Sequence, residues 1–302
     1  MRIGLYLNES SGPDAIAKMG EKIARAADDG FASAWVSNIF GLDALTALAV
    51  AGSQVPGIEL GTAVVPTYPR HPAVLAQQAL TTGTALGGRL ALGIGLSHQI
   101  VIENMYGYSF DKPARHMREY LSVLMPLMRG ESVDFDGETI KAHLGLNTPR
   151  VGEVPVLIAA LAPMMLRLAG GMADGTVLWM TGPKTVADHV VPAITEAARN
   201  AGRPDPRIVC ALPVAVTDDV EAARARAAEV FAVYGQLPSY RAMLDREGAE
   251  GPADVAIVGD EDEVSAQIQT LAKAGVTDFA AATFASGDDA VRTREFLRSL
   301  VS

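Results

Sequence analysis

Residues 59–98 read ELGTAVVPTYPRHPAVLAQQALTTGTALGGRLALGIGLSH. The stretch opens with a β-rich run, Glu59–Val64, and closes with another, Leu90–Gly93. Between them Pro72–Leu86 starts at a proline and stops before Gly87-Gly88, the start and stop signals of a helix. Strand, helix and strand at this spacing form one β/α/β unit. Near-continuous apolar strands suit a parallel sheet buried on both faces.

Outward from this unit the alternation continues. Further strands are predicted at Arg2–Leu7, Ala34–Ser37, Pro155–Ala159, Thr176–Leu178, Ile208–Val216 and Thr277–Ala282. Helices are predicted over Asp14–Asp29, Ala114–Arg129, Met164–Met172, Val186–Ala201, Val220–Tyr234, Glu261–Ala274 and Asp288–Leu300. In the first of these Ile16, Met19, Ile23 and Ala26 recur at helical spacing, and Gly30 suits the C-terminal cap. Eight β/α units argue for an α/β fold, a (β/α)8 TIM barrel forming one domain over residues 1–302. Long gaps after strands 4 and 7 predict insertions. The first holds a loop, Leu96–Pro113, and a β-like excursion, Val133–Asn147; the second holds extra helices around Tyr240–Glu247. A doubly wound open sheet is the alternative, but it would usually need fewer strands, and no linker splits the chain.

Composition removes several classes. Hydrophobic residues make up 49% and charged residues 20% of 302, too apolar for a disordered chain. Lys+Arg 25 against Asp+Glu 35 gives a net charge of −10, without the basic footprint of a nucleic-acid binder. The lone Cys210 excludes an internal disulfide or a multi-thiolate metal site. No two histidines have metal-ligand spacing, so no metal is expected. No apolar run is long enough to span a membrane and no signal peptide is visible, which predicts a cytoplasmic protein. Asn8-Glu9-Ser10 matches a glycosylation triplet, without meaning in that compartment.

In a barrel the reactive groups sit in the loops after the strands. Gly93-Ile94-Gly95 is an incomplete dinucleotide fingerprint, because His98 stands where the third glycine would be. It reads either as backbone closely approaching a flat ligand or as a plain turn. His98 titrates near neutrality and could act as a general acid, or be a surface histidine. His71 could help hold an anion at the pocket mouth; His116, His143 and His189 read as structural or solvated. Ala160–Pro163 leads uncharged into a helix whose free N–H groups could cradle a phosphate, or is a short connection. Trp179, Met180 and Thr181 could wall a ring pocket or simply be packed.

The ordered set MRIGLYL, GFASAWVSNIF, LGTAVVPTYPRHPAVLAQQALT, RLALGIGLSH, PARHMREYLSVLMPLMRG, VPVLIAALAPMMLRLAG, ADGTVLWMTGP and VGDEDEVSAQIQTLAKAGVTDF runs over nearly the whole chain. It resembles the luciferase-like monooxygenase superfamily, in particular its branch using coenzyme F420, a deazaflavin. The resemblance implies a barrel with the deazaflavin ring in its C-terminal mouth and a non-prolyl cis peptide, here Ala63-Val64, backing the ring. By the same similarity Asn38 lies near the ring, Gly95 and His98 lie along the ring and ribityl chain, and Ala160, Leu161 and Ala162 offer amides to the phosphate. Met180 and Thr181 occupy the adjoining loop.

Two positions depart from sugar-phosphate dehydrogenase relatives: Ile39 replaces a histidine, and Leu161-Ala162 replaces a glycine pair. The implied activity is therefore a general F420-dependent reductase or dehydrogenase. It exchanges a hydride between the deazaflavin C5 and a small organic substrate, with His98 as acid or base and Asn38 as hydrogen-bond partner. Alternatives are an FMN-dependent monooxygenase, a non-catalytic flavin-binding protein and, more weakly, an aldolase-like barrel using Lys184. Apolar Ile100, Ile102, Met105, Tyr106, Tyr108, Leu237 and Tyr240 in the inserted loops favour a hydrophobic or aromatic substrate or a dimer interface. Relatives of this kind commonly form homodimers.

Overall fold

The computed structural model describes residues 1–8 and 10–301; Glu9, at the centre of the Asn8–Ser10 triplet, and Ser302 lie outside the described residues. Eight parallel strands close on themselves. In chain order they are Arg2–Leu7, Ser33–Val36, Glu59–Thr62, Leu90–Gly95, Val156–Ile158, Gly175–Trp179, Arg207–Val216 and Asp278–Thr283. The eighth pairs with the seventh, in register Val209 to Asp278, and with the first, in register Arg2 to Asp278. That closure excludes the open sheet and establishes the (β/α)8 barrel.

Both insertions are present. After the fourth strand come a π-helical turn, Val101–Met105, the helix Pro113–Arg129 and an antiparallel hairpin, Val133–Asp136 with Lys141–Leu144. Glu119, buried on that helix, accepts hydrogen bonds from the backbone N–H groups of Glu138, Thr139 and Ile140 and from the Thr139 hydroxyl. Burial pushes its carboxyl up, and the bonds from Thr139 and Ile140, with Arg115 nearby, outweigh that and hold it below its ordinary value. After the seventh strand come helices Val220–Val230 and Pro238–Glu247 and a short strand, Ile257–Gly259.

One expectation is corrected and two elements are added. Helix Ala44–Gly52 was not predicted: its ALTALAVAG sequence has almost no polar stripe, so the 3.6-residue period is hidden. Asp43 caps it by accepting from Thr46 N–H at 2.9 Å. The helix expected over Val186–Ala201 is broken into a π turn, Val186–Val190, and an α-helix, Val191–Asn200. Pro192, with no N–H to give, sits at that junction. Strand Ile257–Gly259 was missed because three residues carry no period; it pairs with the upper half of the ten-residue seventh strand.

The barrel interior is filled from below. At the N-terminal end Arg207 lies over the Trp35 ring at 5.4 Å and pairs with Asp278 at 2.7 Å. Trp35 donates to Ser33 Oγ at 2.9 Å and occupies the space above Gly61, where a Cβ would fall 2.2 Å from its ring. Ala91, Leu157, Val177, Val209, Ala211 and Ala280 complete this layer. Only the opposite end can open.

Candidate active site in the barrel mouth

At the C-terminal end of the strands a cavity of about 220 Å3 is lined by Tyr6, Ser37, Asn38, Ala63, Val64, Pro66, Ser97, His98, Trp179, Tyr234 and Tyr240, among others. The first, second, third, fourth and sixth strands each deliver side chains here. Tyr234 and Tyr240 come from the insertion after the seventh.

The third strand breaks at Ala63-Val64, whose peptide bond is cis, and resumes as Val65-Pro66 beside Ile94 and Gly95. Tyr6 donates to the Ala63 carbonyl at 3.2 Å and stacks on Trp179, with ring centroids 5.3 Å apart. Gly93 and Gly95 serve this break. A Cβ on Gly93 would lie 2.0 Å from the Thr62 carbonyl oxygen, and one on Gly95 would lie 2.6 Å from Val64 Cγ2. The close neighbour of this glycine pair is therefore the third strand, a more specific reason for G-x-G than either a plain turn or ligand contact. Gly95 lies behind Val64, which faces the cavity.

His98 follows Ser97, a non-glycine residue at φ 61°. Its ring meets Tyr240 at 5.6 Å. Burial lowers the His98 pKa, so the imidazole is neutral at pH 7. Asn38 has a second duty: its Oδ1 accepts from Ala44 N–H at 2.9 Å, at the start of the helix that the sequence hid. Its amide NH2 remains as the polar face.

Of the anticipated site residues, Asn38, Ala63, Val64 and His98 meet in this cavity. Met180 and Thr181 are fully buried beneath it, and Trp179 supplies the wall from that strand. Met180 has φ 52°, a left-handed turn directly after Trp179. Ala160 is buried and its N–H points at Thr176 Oγ1, 3.4 Å away; Leu161 gives its carbonyl to His189 at 2.8 Å. Ala162 precedes helix Pro163–Met172, which no side chain caps. These three residues stand outside the cavity lining. His71 accepts from Ala73 N–H and bonds the Lys141 carbonyl, and it lines a separate cavity of about 660 Å3 with Arg70, Lys112 and Arg115. His116 bonds Thr67 and stacks on Tyr68 at 4.0 Å, away from the mouth. Lys184 is exposed at a helix start and lines no part of the cavity. The sequence reading missed Tyr6; its signal was a polar-tipped aromatic at the C-terminal end of the first strand. Among the described residues no cluster of His, Cys, Asp or Glu could hold a metal ion. Nor is any helix among them long and apolar enough to cross a membrane.

A closed parallel barrel with a cis-broken third strand under an aromatic mouth defines a class, and the comparisons agree. The profile of the luciferase-like monooxygenase family matches residues 2–278, and the chain belongs to that family. It is 29% identical over 248 residues to the 5,10-methylenetetrahydromethanopterin reductase of Methanolobus tindarius, covering 82% of this chain and 75% of that one. It is 35% identical over 166 residues to the F420-dependent glucose-6-phosphate dehydrogenase of Nocardia farcinica, covering 52% of this chain and 48% of that one. Among solved structures, the coenzyme F420-dependent tetrahydromethanopterin reductase of Methanopyrus kandleri superposes with a TM-score of 0.83 at 24% identity, covering 98% and 97% of the two chains. That likeness establishes the fold.

Proposed function

We propose that this protein is a coenzyme F420-dependent oxidoreductase that exchanges a hydride with a small organic substrate in the barrel mouth. The observation that carries the reading is the cavity itself, which brings Tyr6, Asn38, Ala63, Val64, His98 and Trp179 together at the C-terminal end of the strands. Proteins matched over most of the chain carry the names putative coenzyme F420-dependent oxidoreductase and coenzyme F420-dependent tetrahydromethanopterin reductase.

When bound, reduced F420 supplies a hydride from C5 of its ring. The chain's own residues do the rest. Val64, held forward by the strand behind it, supports one ring face. Asn38 Nδ2 donates to an acceptor on the ring or the substrate. His98, neutral at rest, can accept the proton that leaves a substrate as its hydride departs; in the direction of reduction the protonated ring returns that proton to the atom made basic by hydride arrival. Tyr240 and Tyr234 cover the opening and exclude water, which strengthens each of these polar contacts. The uncapped start of Pro163–Met172 offers first-turn amides to an anionic group on the cofactor tail. The proposal includes the homodimer that the family resemblance implies and the cytoplasmic location expected from the sequence.

The test is a titration of purified protein with F420 and, in parallel, FMN, read by deazaflavin fluorescence or flavin absorbance. Saturable binding of F420 in preference to FMN supports the reading. Preference for FMN moves the chain to the oxygenase side of the family.

A further inference from the structure

Arg70, His71, Lys112, Arg115 and His116 converge outside the barrel mouth. They line the cavity of about 660 Å3 between the loop after the cis break, the start of helix Pro113–Arg129 and the inserted hairpin. Its size lies within the roughly 300–1,000 Å3 that encloses a small organic ligand. No residue lines both this cavity and the mouth, so the two are separate places on the molecule.

The wall is rich in hydrogen-bond donors. Arg70 pairs with Asp43, whose carboxylate lies outside the lining, and Arg115 pairs with Glu138 at the edge. A guanidinium has five N–H donors and a single carboxylate does not use them all, so each arginine keeps donors free. Lys112 forms no ion pair among the described residues. The other carboxylate in the lining, Asp111, already accepts from the Ser109 hydroxyl at 2.9 Å. Neither histidine adds charge. His71 Nδ1 accepts from Ala73 N–H, so it carries no proton, and Nε2 donates to the Lys141 carbonyl at 3.1 Å. Burial pushes the His116 pKa down to about 4, leaving it neutral at pH 7. A second observation concerns Tyr120, which lines the cavity from the same helix. It is fully buried, and its hydroxyl has no hydrogen-bond partner among the described residues. Helical side chains lean toward the helix N-terminus, and the Tyr120 ring meets that of His116, one turn earlier, at 5.7 Å. The Tyr68 hydroxyl, in the same wall, is also without a partner. Buried donors without acceptors are costly, and two of them beside a cavity edged with cations favour an occupant rich in acceptor oxygens.

We infer that this cavity is a second ligand site, distinct from the mouth, and that it takes a small organic anion. The phosphate or carboxylate oxygens of that anion accept from Lys112, Arg70 and Arg115. The anion role that the sequence suggested for His71 passes to these neighbours; His71 itself ties their loop to the hairpin.

The experiment is isothermal titration calorimetry on the full chain with glycerol 2-phosphate, tricarballylate and, as the neutral control, glycerol. One saturable site per chain is expected for at least one of the anions, and none for glycerol. Tighter glycerol 2-phosphate identifies a phosphoryl ligand; tighter tricarballylate identifies a carboxylate. Lys112→Gln with Arg115→Gln should weaken binding by at least about tenfold, since charge-assisted hydrogen bonds are lost. Arg118→Gln, which removes an exposed charge from the same helix outside the lining, should change Kd by no more than about twofold, because solvent and salt screen it. The anion should also bind protein saturated with F420. No saturable binding of either anion overturns the inference. So does an unchanged Kd in the double variant, or an equal loss in Arg118→Gln. Displacement of the anion by F420 would put it in the proposed cofactor site and overturns the inference as well. If F420 does not bind, the variants alone decide.

Discussion

Val64 occupies the space that a side chain on residue 95 would need: a Cβ at Gly95 would fall 2.6 Å from Val64 Cγ2 and 3.2 Å from Ala159 Cβ. Ala159 belongs to the barrel wall, and Val64 can give way only toward the cavity in front of it. Gly95→Ala therefore pushes Val64 into the cavity. The expected result is a folded protein with unchanged circular dichroism and F420 affinity reduced by about tenfold or more, since one overpacked methyl costs about 1–3 kcal/mol. Unaltered affinity would mean that Val64 does not support the ring.

His98→Ala separates proton transfer from binding. A positioned general acid contributes about 10²–10⁴ in rate. Turnover is expected to fall within that range while F420 affinity, measured by titration, stays within a few-fold. Unchanged turnover with cofactor bound would remove His98 as the proton donor.

Burial pushes the His116 pKa down to about 4 from its ordinary 6.5. Below pH 6.5 the unfolded chain takes up a proton that the folded chain refuses until about pH 4. Stability is therefore full above pH 6.5 and declines as the pH falls through this window. His98, also depressed by burial, adds in the same direction. Urea denaturation at pH 7 and pH 5 should show a loss of about 1–3 kcal/mol. His116→Gln should lose less than the wild type across that step. An equal loss would assign the acid lability elsewhere.

Glu119 ties the inserted hairpin to its helix through four hydrogen bonds. Glu119→Ala leaves the buried N–H of Ile140 and the part-buried N–H of Thr139 without their acceptor. The expected cost is about 1–3 kcal/mol. Amide exchange should speed up over residues 133–144 before the barrel strands respond. Uniform loss of protection would show that the hairpin does not open alone.

The barrel was legible because parallel strands announce themselves as short apolar runs between capped helices, as Glu59–Val64 and Leu90–Gly93 do around Pro72. What stayed hidden had no period to read: the all-apolar helix Ala44–Gly52 and the three-residue strand Ile257–Gly259. The site was legible where a residue type carried its own chemistry, as with His98, or where the family resemblance placed it, as with Asn38 and the cis bond at Ala63-Val64. Tyr6 and Tyr234 were not, because an aromatic at a strand end or in a loop looks like packing until the fold sets it opposite Trp179. Nor could spacing reveal that Gly95 accommodates Val64, since a contact between adjacent strands leaves no local signature.

The most direct measurement of the central claim is the paired equilibrium titration with F420 and FMN under identical conditions. Saturable F420 binding is expected, tighter than FMN by at least about tenfold, with Trp179 fluorescence quenched as the cavity fills. Tighter binding of FMN, or no binding of either, would contradict it.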